Sequence, residues 1–141
     1  MPLSEPLACV ISALIIGAGT ETLARALNLW RYHRPSTPIL NVLIMFSLLQ
    51  GGLIAAGIGH SQSLLAITPV LIMAGGLLGL AYEAINLFRL KAWYFPPTTL
   101  TFLGSPIDKA VVIGAAWGFV PVLTLLGARL LIAQGAALHA G

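Results

Sequence analysis

Three ionisable side chains stand where lipid-facing sequence ordinarily admits none. Glu21 and Arg25 lie in GAGTETLARALNLWR (residues 17–31), and Glu83 lies in GGLLGLAYEAINLFR (residues 75–89). The amides Asn28, Gln50 and Asn86 accompany them. A charge at mid-bilayer costs roughly 2.5–3.5 kcal/mol even on the lenient insertion scale, so such residues pair, bind a ligand or carry protons. Glu21 and Arg25 have the i,i+4 spacing of an ion pair along one helix face. Shifting the chain so that Gly17 meets Gly75 also superposes Ala26 on Ala84, Asn28 on Asn86, Arg31 on Arg89, and Arg25 on Glu83. The predicted result is a buried polar cluster of Glu21, Arg25, Gln50 and Glu83, with Asn28 and Asn86 nearer the rim. Two chemistries follow from it. One is an ion, proton or substrate site, where two carboxylates against one guanidinium leave an acid able to hold a proton. The other is an electrostatic clasp that fixes helix register, and this is the preferred reading.

The elements that position these residues follow from composition. The chain has 141 residues, one domain by length, and is 58% hydrophobic with only 8% charged residues. A soluble domain carries roughly 25% charged residues, so most of this surface faces lipid. Four spans are predicted over about residues 7–30, 37–59, 64–88 and 107–131. The first apolar run, LACVISALIIGAG, falls short of the roughly 20 residues that cross a bilayer. The first helix is therefore expected to continue through Glu21 and Arg25 to Trp30 as an interfacial aromatic, with Glu21 near the bilayer middle. Ser36 with Pro38, and Ser105 with Pro106 and Asp108, supply helix starts. The expected fold class is all-α, a four-transmembrane-helix bundle in a single integral membrane domain over 1–141. The repeated segments read as two parallel helical hairpins.

Arg31, Arg34, Arg89, Lys91 and Lys109 bias the first and third loops to the cytoplasm. Both termini are then expected on the outer side of a plasma or bacterial inner membrane. No positive residue precedes the first apolar run, so a cleaved signal peptide is not expected. Basic residues at membrane edges set orientation and do not form a nucleic-acid patch.

Lys91, Trp93, Tyr94 and Phe95 precede Pro96-Pro97 and read as an interface loop able to grip a lipid headgroup or an isoprenoid, or as an aromatic belt. His60 is a weak candidate pigment ligand. His33, His60 and His139 fall in three separate loops or tails, which opposes a bis-histidine haem. No His, Cys, Asp or Glu set has metal-ligand spacing, Cys9 stands alone, and no nucleophilic triad is evident. Gly52/Ala56, Gly75/Gly79 and Gly114/Gly118 have the small-xxx-small spacing that brings helices close. The expected function is a small integral membrane subunit or scaffold, not an enzyme and without a cofactor beyond bound lipid. Its expected partners are the lipid bilayer and other membrane subunits or itself. The alternatives are a small oligomeric transporter or channel using the Glu/Arg cluster, and a lipid- or isoprenoid-binding protein or enzyme acting at the aromatic-proline loop.

Overall fold

Ser4 in extended conformation and Pro6 in the first turn open helix α1 (Glu5–Ala26). At about 1.5 Å per residue its 22 residues are long enough to cross a hydrocarbon core. The computed structural model describes residues 4–51, 54 and 63–140, without the side chains of 48–50 and 138–140.

Helix α1 stops at Ala26, short of the expected Trp30. Asn28 adopts φ 53°, the Leu29 amide donates to the Ala24 carbonyl at 2.8 Å, and the Asn28 amide donates to Arg25 at 3.1 Å. This is a Schellman ending, in which asparagine tolerates the left-handed position that most residues avoid. The chain therefore turns back, and Trp30 is buried at 7% exposure instead of ending a span at the interface. Glu21 consequently lies five residues from the helix end, not at its middle.

The short strand β1 (Arg31–Tyr32) leads into α2 (Thr37–Asn41), which widens into a π-helical continuation over Val42–Gly51. The Ser47 hydroxyl donates to the Val42 carbonyl five residues back. Helix α3 (Leu64–Ile85) is capped by Ser63, whose hydroxyl accepts from the Ala66 amide at 3.2 Å. Asn86–Leu90 form a π-helical turn, closed by Lys91 at φ 47° with its amide on the Asn86 carbonyl. Strand β2 (Trp93–Tyr94) pairs antiparallel with β1, Arg31 opposite Tyr94 and Tyr32 opposite Trp93. This ribbon brings the two aromatic loops to one end of the molecule.

Helix α4 (Pro106–Ala116) has its Ser105 cap bonded to the Asp108 amide, and α5 (Phe119–Ala140) follows after a break. Pro121 supplies no N–H for the Trp117 carbonyl, which instead takes the Val120 amide at 3.1 Å. The apolar stretch expected as one span over 107–131 is thus broken at residues 117–118 but remains within a continuous candidate span, Pro106–Ala137.

Helix α1 packs against α5 and the continuation of α2, while α3 packs against α4 and α5. Glycines set the close approaches. A Cβ at Gly17 would lie 2.6 Å from Phe46 Cγ, and one at Gly79 would lie 2.5 Å from Trp117 Cβ. The core divides into an aromatic cluster near the ribbon (Trp30, Phe46, Trp93, Trp117) and an aliphatic one around Cys9, Ile54, Leu71 and Leu125. The protein is mostly helical. Glu5–Ala26, Leu64–Leu90 and Pro106–Ala137 are long and apolar enough to cross a membrane, and Thr37–Ser47 is a shorter apolar helix.

Candidate functional site

Glu21 sits on the inner face of α1 one turn past Gly17, at 5% exposure. The backward turn at Asn28 carries the next loop over it. Tyr32 donates its hydroxyl to Glu21 Oε1 at 2.5 Å, and Trp30 Nε1 donates to Oε2 at 3.3 Å. Asn41, at the end of α2, donates its amide to Oε1. The network continues inward, since the Tyr82 hydroxyl on α3 donates to Asn41 Oδ1 at 2.8 Å. One carboxylate therefore ties α1, its own returning loop, α2 and α3, and every donor is uncharged. Hydrogen bonds to a charged group contribute roughly 1.5–3 kcal/mol each, against the large cost of a buried carboxylate left unpaired. Burial and the hydrogen bond to Glu21 raise the Tyr32 hydroxyl well above the ordinary phenol range, so it stays a donor at neutral pH.

Glu83 on α3 is built the same way. It lies one turn past Gly79 at 2% exposure, and the Trp93 indole donates to its Oε2 at 3.1 Å. Asn86, also 2% exposed, fixes that indole by holding the backbone around it. Its Nδ2 donates to the Trp93 carbonyl at 3.0 Å, and its Oδ1 accepts from the amides of Ala92 and Trp93. Tyr82 links the two carboxylate sites, with its ring 4.9 Å from Trp93 and its hydroxyl on Asn41. Tyr32 meets Trp93 edge-on at 5.9 Å.

Of the expected cluster, Glu21, Glu83 and Asn86 are buried near the ribbon, while Arg25 is exposed and Asn28 is partly so. No ion pair joins Arg25 to Glu83 among the described residues. Arg25 instead lines an open groove with Arg31 and Arg34. The superposition of Arg25 on Glu83 thus equates an outward position with an inward one. Asn28 bonds Thr98 Oγ1 and accepts from Arg31 Nε, both at 2.8 Å. Gln50 and His60 lie outside the residues and side chains described.

The interface loop divides in two. Lys91 and Tyr94 are exposed and Phe95 is half-buried, but Trp93 is 5% exposed and points into the core. Its bond to Glu83 and the ribbon pairing hold it there, so it does not belong to an outward aromatic belt. Lys109 is nearly as buried at 7%, with its ammonium on the Pro96 carbonyl at 3.3 Å. Thr99 pins the first loop from across the end, donating to the carbonyls of Asn28 and Leu29 at 2.8 Å.

Tyr32, Asn41 and Tyr82 join the site unforeseen, and Trp30, expected at the interface, joins it as a donor. Two signals pointed to Asn41 and to the tryptophans. Asn41 is an amide inside an apolar run, and each buried glutamate is followed after 9 or 10 residues by a tryptophan. Among the described residues, no group of three His, Cys, Asp or Glu side chains is placed to hold a metal ion. Comparison with protein-family models, with curated proteins and with solved structures finds no match.

Proposed function

We propose that this chain is a multi-pass integral membrane protein that acts as a structural subunit or scaffold, packing through its helices into a larger membrane complex or a homo-oligomer. The observation that carries this reading is the satisfaction of Glu21 by Trp30, Tyr32 and Asn41, all uncharged and all from its own chain. A carboxylate held in this way serves as a staple for the end of the bundle. A transport site would need a partner that the translocated species can displace. The outer face of α3 supports a packing role as well, with Leu65, Met73 and Leu77 at 66–87% exposure on a helix fit to span a membrane.

In this reading the α2 region supplies a fourth span, and the termini lie outside. The ribbon end collects Arg31, Arg34, Arg89, Lys91 and Lys109, which favours that end as cytoplasmic. In place of the shift that superposes Gly17 on Gly75, this reading takes the chain as two parallel hairpins in a register of 62 residues, the separation of Gly17 from Gly79 and of Glu21 from Glu83. That register is supported by matching burial, by helix contact at both glycines, and by an indole on each carboxylate.

The test is Glu83→Gln in proteoliposomes, read for assembly and for proton flux under an imposed pH gradient. The expected outcome is an assembled protein without a flux that depends on Glu83. A proton flux present in the wild type and abolished in an assembled Glu83→Gln variant would replace the scaffold with the transporter.

A second reading has one observation in its favour. A cavity of about 300 Å³ opens at the ribbon end between His33, Lys91, Tyr94 and Phe95, as a lipid- or isoprenoid-binding protein or enzyme would require. Mass spectrometry of the purified protein would then find a co-purified lipid that Tyr94→Ala releases.

A further inference from the structure

The groove beside Arg25 has two parts that meet. The first, about 460 Å³, lies at the ribbon end and is lined by Arg25, Arg31 and Arg34 together with Asn28. The second, about 320 Å³, runs down the side of the molecule between α1 and α2 past Ala18, Ile39 and Leu43. Arg25 and Pro38 line both, so a cationic chamber opens directly onto an apolar channel. Ile39 is 64% exposed and Leu43 47% exposed, as suits walls that face lipid.

The charge in this groove is unbalanced. Among the described residues no carboxylate pairs with Arg25, Arg31 or Arg34. Glu21 also lines the channel, but its oxygens are taken by Trp30, Tyr32 and Asn41. Arg31 donates its Nε to Asn28, which leaves the guanidinium terminus for another acceptor. Guanidinium groups present paired donors that match a phosphate, and basic pockets at the ends of membrane helices hold anionic headgroups.

We propose that the groove between α1 and α2 is a binding site for an anionic phospholipid, with the phosphate held by Arg25, Arg31 and Arg34 and one acyl chain laid along Ala18, Ile39 and Leu43. The occupant is fixed by the join between the two parts. A free phosphate would use the chamber and leave the channel empty, while a neutral lipid would leave three cations uncompensated. The inference rests on the membrane placement of α1 and α2 but not on the scaffold role. It also explains why an arginine in the last turn of α1 is left out of the inner network, one turn away from a glutamate.

The test uses the full chain in mild detergent, titrated with phosphatidylglycerol, phosphatidylcholine or inorganic phosphate, and read by native mass spectrometry and by melting temperature. Phosphatidylglycerol should be retained and raise the melting temperature, while phosphatidylcholine and inorganic phosphate should do neither. Replacing two arginines, Arg25→Gln with Arg34→Gln, should weaken phosphatidylglycerol binding by at least about tenfold. Leu43→Trp keeps every charge and should weaken it by filling the channel, which covers the case in which the double variant fails to fold. Equal retention of phosphatidylcholine, equal stabilisation by inorganic phosphate, or unchanged binding in either variant would overturn the proposal. An alkaline wash of native membranes separates the two levels, since release of the wild-type chain would sink the membrane placement itself. A chain that stays in the membrane but shows no lipid selectivity would sink only this site.

Discussion

Removing an indole N–H should harm the two carboxylate sites unequally. Glu21 has three donors, from Tyr32 at 2.5 Å, from Asn41, and from Trp30 at the longer distance of 3.3 Å. For Glu83 the donor among the described residues is the Trp93 indole at 3.1 Å. Trp30→Phe and Trp93→Phe lose a similar volume of ring, so the ring term is common to both. In Trp30→Phe, Tyr32 and Asn41 still satisfy Glu21, and the hydrogen-bond loss should be about 0.5–1 kcal/mol. In Trp93→Phe a carboxyl group at 2% exposure loses its donor, which should cost about 2–3 kcal/mol. The assay is unfolding of the purified protein in mixed micelles of rising denaturing-detergent fraction, followed by circular dichroism. Each substitution is repeated on a background in which its glutamate is glutamine, to isolate the pairwise term. The expected coupling is at least twice as large for Trp93 with Glu83 as for Trp30 with Glu21. Equal couplings, or a larger one at Trp30, would refute the assignment of roles.

Four further outcomes follow from the same geometry. Gly79→Ala should destabilise the protein by about 1–3 kcal/mol, because its Cβ meets Trp117 at 2.5 Å. Gly19→Ala has nothing within 4 Å and should gain up to about 1 kcal/mol from helix propensity in the same unfolding assay. Asn28→Ala should cost about 1–2 kcal/mol by placing an ordinary residue at positive φ, and Asn28→Gly should recover most of that. The raised Tyr32 hydroxyl gives a sign for alkaline stability. Its contribution is fully present below pH 10.0, the ordinary phenol value, and is lost as pH rises above it, because the unfolded chain then releases a proton that the folded chain retains. Melting temperature should therefore fall more steeply above that pH in the wild type than in Tyr32→Phe.

Helices long and apolar enough to cross a membrane, and most helix starts, were readable because they rest on local chemistry. Apolar length, the Ser105 cap, and Pro38 and Pro106 in first turns are written within a few residues, whereas Ser36, expected as a cap, makes no side-chain cap bond and the cap at Ser63 was not foreseen. The helix ends were harder. Asn28 and Lys91 in left-handed conformation stop their helices without a glycine or proline to announce it, and Pro121 splits α4 from α5 inside an unbroken apolar run. The expected continuation of α1 to Trp30 failed at Asn28, and the predicted pairing of Arg25 with Glu83 failed separately, because Arg25 stands on the exposed face of α1 while Glu83 is buried. Once α1 ends at Ala26, the loop returns and delivers Trp30 and Tyr32 to Glu21. That a buried glutamate needs partners was legible in the sequence. That the partners are indole, phenol and amide groups, not an arginine, depends on the ribbon, which pairs Arg31 with Tyr94 and Tyr32 with Trp93 across two distant loops.

The central claim is that this bundle works by packing against other protein. It is tested most directly by the mass of the particle extracted from native membranes in mild detergent and weighed by native mass spectrometry. A stoichiometric assembly is expected, either several copies of this 14.8 kDa chain or the chain with another membrane subunit. A single copy carrying only lipid, stable and active in transport or catalysis by itself, would contradict it.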